Sequence, residues 1–159
     1  MRKTCLRLVT VVSVLGVSVL PANSASTAAP KMNIRAIVEL ANKRSTYVAM
    51  LTPAIANECL ENMWGANPPP ALLDWVATLM LTDLSNRAKV MRGELLKKEA
   101  EKQRQELYYS LEKLPPDHFN AVANYTDLTP AGSFGEDLVE VMDCQYREIA
   151  EALTISAAD

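Results

Sequence analysis

Apolar residues recur at helical spacing through most of this chain. From Ile34, positions Ile37, Val38, Ala41 and Val48 fall on one face, the pattern of an amphipathic helix. Thr52-Pro53 interrupts that pattern. Threonine caps a helix start and proline suits the first helical position, so a second helix is predicted over residues 53–64. Gly65 ends it, and Asn67-Pro68-Pro69-Pro70 forms a stiff turn. Residues 71–114 hold no proline and one glycine, Gly93. Leu72, Leu73, Trp75, Val76, Leu79 and Met80 open that stretch, and Leu84, Ala88, Met91 and Leu95 keep the phase. It reads either as one long helix or as two divided at Thr82-Asp83. KKEAEKQRQE (97–106) offers almost nothing to bury, after which Leu107, Leu111 and Leu114 resume. Leu114-Pro115-Pro116-Asp117 closes the element, a short helix follows over about 117–125, and Thr129-Pro130 opens the last helix. There Leu138, Met142, Tyr146, Ile149 and Leu153 form the apolar stripe. No stretch alternates apolar and polar residues as a half-buried strand does, and no repeat is visible. The expected fold is all-α: a single bundle-like domain of about five or six helices over residues 34–155.

The N-terminus changes the picture. Arg2, Lys3 and Arg7 precede an almost wholly apolar run, 8–20, and Pro21-Ala22-Asn23-Ser24-Ala25-Ser26 supplies small residues for a signal peptidase. This tripartite pattern predicts a cleavable signal over residues 1–26, cut near Ser24 or Ser26, and then a small-residue linker over 27–33. The rival, a membrane anchor, needs about 20 apolar residues, and this run is shorter. A periplasmic or secreted location follows, with no transmembrane segment after signal removal. The formal charge moves from −3 to −6, because Arg2, Lys3 and Arg7 leave and no acid leaves with them. Such acidity argues against nucleic acid or an anionic membrane surface as partner.

Export also bears on the cysteines. Cys5 leaves with the signal, and Cys59 and Cys144 remain. Two cysteines in an oxidising compartment predict a disulfide. Metal ligation is not expected, since two distant cysteines and the single histidine, His118, do not make a four-ligand zinc set. Helix phase complicates the pairing. Cys59 shares a face with Ile55 and Met63, but at about 100° per residue Cys144 lies nearly opposite the stripe of the last helix. Either another segment covers that side and meets Cys144 there, or Cys144 is exposed and free, or it joins two chains.

The remaining candidates for chemistry each have a plainer reading. AGSFGED (131–137) resembles a nucleophile elbow, but Gly132 directly precedes Ser133 and no strand leads into it. His118 adjoins Asp117, yet neighbours on a helix do not face each other, and a solvent-facing histidine is expected. Glu136, Glu140 and Asp143 share one side of the last helix, as a solvated face would arrange them; such acids also suit a helix start. Glu94 with Lys98 and Lys97 with Glu101 have the i, i+4 spacing that supports an exposed helix. Met63, Met80, Met91 and Met142 fall on apolar faces and are expected to fill the core. Trp64 and Trp75 flank the proline turn and are expected to seal the bundle end. No catalytic residue, metal or cofactor is expected.

The segment from Leu114 to Gly132, LPPDHFNAVANYTDLTPAG, resembles part of an uncharacterised bacterial family of exported, all-helical proteins. Its pattern is a capped short helix, paired aromatics, a Ser/Thr-Pro-x-Gly turn and a final helix. Asn124-Tyr125 stands where two aromatics are expected, and Leu128 adds a residue before Thr129-Pro130-Ala131-Gly132. The resemblance implies a periplasmic helical domain and carries over no site. The expected function is therefore binding of another macromolecule, most simply a protein, as an envelope accessory, chaperone-like or immunity protein. The alternatives are a carboxylate- or metal-dependent enzyme using the last helix, and a structural protein that self-associates through Cys144.

Overall fold

The computed structural model describes residues 33–126, 128 and 134–155. Its elements are α1 (Ile34–Lys43), α2 (Ser45–Trp64), α3 (Pro70–Met91), α4 (Lys97–Ser110), a 3-10 turn (Leu111–Lys113), α5 (Pro116–Thr126) and α6 (Phe134–Ile155). The fold is all-α, with no strand among the described residues. None of these helices is long and apolar enough to cross a membrane. The expected signal (1–26), most of the linker (27–33) and the Thr129-Pro130 start lie outside the described residues.

Two break points differ from those expected. The first helix ends at Arg44, and α2 runs straight through Thr52-Pro53. Burial explains this. Val48, Thr52, Ala56, Cys59 and Leu60 are buried along α2, so tertiary packing holds the helix across the proline. The Thr52 hydroxyl, fully buried, donates to the Val48 carbonyl at 2.7 Å and so caps nothing. The 71–114 stretch is two helices, but it divides at Gly93, not at Thr82-Asp83. Gly93 takes φ +73°, its N–H donates to Val90 O at 3.1 Å, and Glu94 N–H donates to Lys89 O at 2.9 Å. That Schellman arrangement satisfies the last carbonyls of α3 and needs a residue tolerant of positive φ.

The core has two clusters. One joins Ala56, Cys59 and Leu60 of α2, the first half of α3, Leu111, Val122 of α5, and Leu138 and Val141 of α6. The other joins Ile37, Val38 and Ala41 of α1, Val48 of α2, Met80, Leu84 and Ala88 of α3, and Tyr146, Ile149 and Leu153 of α6. α2, α3 and α6 thus traverse both clusters, with α2 running opposite to the other two. Aromatic rings close the first end, as expected of Trp64 and Trp75. Trp64 stacks on Phe134 at 5.8 Å and meets Tyr125 edge-on at 6.4 Å, while Trp75 meets Tyr108 at 6.1 Å. The Tyr125 hydroxyl donates to the carbonyls of Leu60 and Gly65, satisfying the end of α2.

Cys59 and Cys144 form a disulfide, with 5.9 Å between their Cα atoms. The phase difficulty disappears because the buried face of α6 is wider than its apolar stripe. Val141 and Gln145 are also buried, which extends that face toward Cys144, and α2 packs along this flank. Cys144 is half-buried there. Gln145 is the cost of that width: it is fully buried, its Oε1 has no hydrogen-bond partner, and its amide nitrogen reaches only Met142 Sδ at 3.7 Å.

Two measurements check this architecture. The bridge closes a separation of 85 residues, so Cys59→Ala with Cys144→Ala should lower the unfolding free energy by up to about 4 kcal/mol in urea denaturation. A loss under about 1 kcal/mol would show that the packing of α2 on α6 needs no covalent tie. Gln145→Met should raise stability by about 1 kcal/mol, because an unsatisfied buried oxygen is replaced by a group that needs no partner. Destabilisation would mean that Gln145 has a partner in solution.

Candidate functional site

A charged group enters the second core cluster at Asp83. Asp83, in the middle of α3, has a side chain only 11% exposed. Its Oδ2 accepts from Arg87 Nε, one turn on, at 2.6 Å, and from the Tyr146 hydroxyl of α6, also at 2.6 Å. The Arg87 guanidinium carbon sits 5.7 Å from the centroid of the Tyr146 ring, a cation–π distance. A buried carboxylate is tolerable when paired and hydrogen-bonded, and here one oxygen receives both donors. Burial raises the Tyr146 phenol well above its ordinary value, and the charge and hydrogen bond of Asp83 raise it further. For Arg87, burial works against the charge, but the hydrogen bond to Asp83 and the fields of Tyr146 and Asp83 outweigh it, so its pKa is raised.

Outward from this network lies a groove of about 410 Å³ between α1, α3 and α4. α1 contributes Ile34, Arg35 and Val38; α3 contributes Asp83, Asn86, Arg87, Val90 and Met91; α4 contributes Lys97, Ala100, Glu101 and Arg104. Four cations thus face two carboxylates, a reversal of the sign of the whole chain. The carboxylates are already engaged: Asp83 as above, and Glu101 by Arg104 Nη2, which reaches both its oxygens at 2.8 Å. Arg35 pairs with Glu39 on the exposed side of α1 at 3.1 Å. Lys97 has no ion-pair partner among the described residues. Asn86 is 6% exposed and no described group hydrogen-bonds its amide, whose polar atoms are not sealed from solvent, unlike Gln145 Oε1. Ile34 and Met91 on the lining, and Leu96 just before α4, are among the exposed large hydrophobic residues.

The α4 ion pairs differ from those expected. Glu94 pairs with Arg92 at 2.6 Å instead of Lys98, because the helix begins only at Lys97. Glu101 is held by Arg104 instead of Lys97. Met91 fills no core position and rims the groove, since α3 ends there; Met80 is fully buried as expected, and Met63 and Met142 are half-buried. His118 is exposed and borders a separate hollow of about 520 Å³ near Asp74, Trp75 and Thr78, with no hydrogen bond among the described residues. Glu136, Glu140 and Asp143 are all exposed on α6. No group of three or more His, Cys, Asp or Glu side chains converges among the described residues. Gly132 and Ser133 lie outside them. Cys59 and Cys144 belong to the other core cluster and are bonded to each other, away from the groove.

Sequence reasoning missed this groove. The available signal was the Asp83/Arg87 pair at i, i+4 within an otherwise apolar helix, with a tyrosine on the stripe of α6.

The buried phenol generates a pH dependence. An unfolded tyrosine ionises near its ordinary value of 10.0, whereas folded Tyr146 keeps its proton above that pH. Its stabilising contribution is therefore complete below that value and is lost as pH rises beyond it, by up to about 1.4 kcal/mol per pH unit. Urea denaturation of wild type and Tyr146→Phe should give a stability difference that shrinks from about pH 9 to about pH 11. A constant difference would place Tyr146 in contact with solvent. Compared with known protein families, with curated proteins and with solved structures, the chain matches none, so the chemistry of the groove has to be read from its own residues.

Proposed function

We propose that this is an exported helical protein, periplasmic or secreted, that works by binding another protein, and that the groove between α1, α3 and α4 is where the partner docks. The observation that carries the reading is the combination at one place of an apolar lining, a surplus of cations and the Asn86 amide, which no described residue engages. The Asn86 amide opens on the groove and is available to a partner's polar group. Exposed hydrophobic residues scattered singly carry no message, but Ile34 and Met91 share one hollow. A volume of about 410 Å³ falls in the range of sites that enclose a small ligand or a short chain segment. The signal-like N-terminus and the resemblance to exported helical proteins support the location.

The test is native mass spectrometry of the full protein released gently from its own host, beside two surface variants. A stoichiometric partner should accompany wild type and Met50→Glu, which alters a residue 75% exposed on α2, and should be lost from Met91→Glu. Loss from Met50→Glu with retention by Met91→Glu would move the interface elsewhere. A bare wild-type monomer under these conditions would remove the reading.

A further inference from the structure

The groove holds more chemical information than its net charge. Arg87 gives its Nε to Asp83 and lies against Tyr146, and no described carboxylate hydrogen-bonds its two terminal nitrogens. Arg104 binds Glu101 through Nη2 alone, leaving Nη1 and Nε. Lys97 is unpaired among the described residues. These donors and Asn86 line the same hollow as Val38, Val90 and Ala100. A guanidinium with spare N–H groups suits a carboxylate. An unpaired carboxamide offers one donor and one acceptor side by side, which matches the N–H and C=O of a peptide backbone and does not match a simple anion. At the rim, Ile34 and Met91 are exposed and offer apolar surface to a ligand.

We infer that the groove recognises a short, extended peptide segment of the partner in which an acidic side chain stands between apolar ones. The carboxylate meets Arg87, Arg104 and Lys97, a backbone amide pairs with Asn86, and the flanking apolar side chains cover Ile34, Val90 and Met91. Asp83 and Glu101 do not repel the incoming carboxylate strongly, since Arg87 and Arg104 already neutralise them. This inference rests on the docking reading above and gives it a ligand chemistry.

Two probes test it: the peptides acetyl-Leu-Glu-Leu-amide and acetyl-Leu-Gln-Leu-amide, titrated into the full isotopically labelled protein and followed by amide NMR. The acidic peptide should bind about tenfold more tightly than the neutral one, the difference made by one charge-assisted hydrogen bond. Its shifts should centre on the Asn86 side-chain amide, Val90, Met91 and Ala100. That advantage should weaken with added salt and vanish in Lys97→Met/Arg104→Met, which changes only exposed or half-exposed positions and spares the Asp83 network. Asn86→Leu should weaken both peptides alike. Equal affinity for the two peptides, or shifts centred outside the groove, would overturn the inference. The docking reading is judged separately. If the acidic peptide fails while the host partner is still lost from Met91→Glu, the interface stands and the carboxylate chemistry is wrong. If the peptide binds as expected while the host partner ignores Met91→Glu, the groove is a peptide site and the partner docks elsewhere.

Discussion

The packing of α6 against α2 is the constraint from which the rest of this fold follows. With no strand among the described residues, no ladder of backbone hydrogen bonds ties distant segments together, and α6 is held by side chains. α6 contributes to both core clusters, and the Cys59–Cys144 bridge fixes it to α2 across 85 residues. Once α2 and α6 are set against each other, α3 packs on the other side of α2 and meets α6 through side chains. α1 then covers one end of this packing, and the short helices with their aromatic rings cover the other. A bridge that shortens the unfolded chain is most effective across a long separation, and this one spans most of the helical domain.

Helix content was legible because the apolar period persists through long runs, and the period survives errors about where helices stop. The stops were less legible. Thr52-Pro53 carries a start signal that is locally sound, yet Val48, Thr52 and Ala56 are buried on one face, and that burial outweighs the hydrogen bond the proline removes. Thr82-Asp83 suggested a break because an acid beside a threonine is unusual in a core helix. Its partner, Tyr146, lies 63 residues away, and no local pattern could announce it. Gly93 was visible as the one glycine of its stretch, but its role as a terminator depends on positive φ, a backbone property. The side of α6 that carries Cys144 was left open between covered and exposed for a related reason: the buried face of α6 includes Gln145, and a glutamine does not register as a core position.

The groove was the least legible feature. Its walls come from three helices, and the residue types that give it character are those that a periodicity argument assigns elsewhere: Met91 to the core, Arg87 and Arg104 to the solvated surface, Asn86 to neither. The charge of the whole chain pointed away from nucleic acid and anionic membrane surfaces. That inference holds for extended surfaces such as nucleic acid and is weaker for a pocket, because screening limits a distant carboxylate to about 8–10 Å at moderate salt, whereas the cations that line a hollow act at contact.

α4 gives the groove a further property. None of its residues is fully buried. It is fixed at its C-terminal end, where Leu107 O accepts from Trp75 Nε1 at 2.9 Å and Leu111 joins the core. Its N-terminal half, which carries Lys97 and Ala100, has no fully buried side chain, and the ion pairs of α4 at Lys102–Glu106 and Glu101–Arg104 run within the helix itself. Opposite it, Asp83, Arg87 and Tyr146 form a wall held from two helices by short bonds. One side of the groove is therefore rigid and the other is weakly held. The fixed donors on α3 set which group is accepted, and α4 sets how closely the occupant is enclosed. Low local stability is common where binding elements must adjust, and here it coincides with the only long helix that contributes no fully buried side chain to the described core.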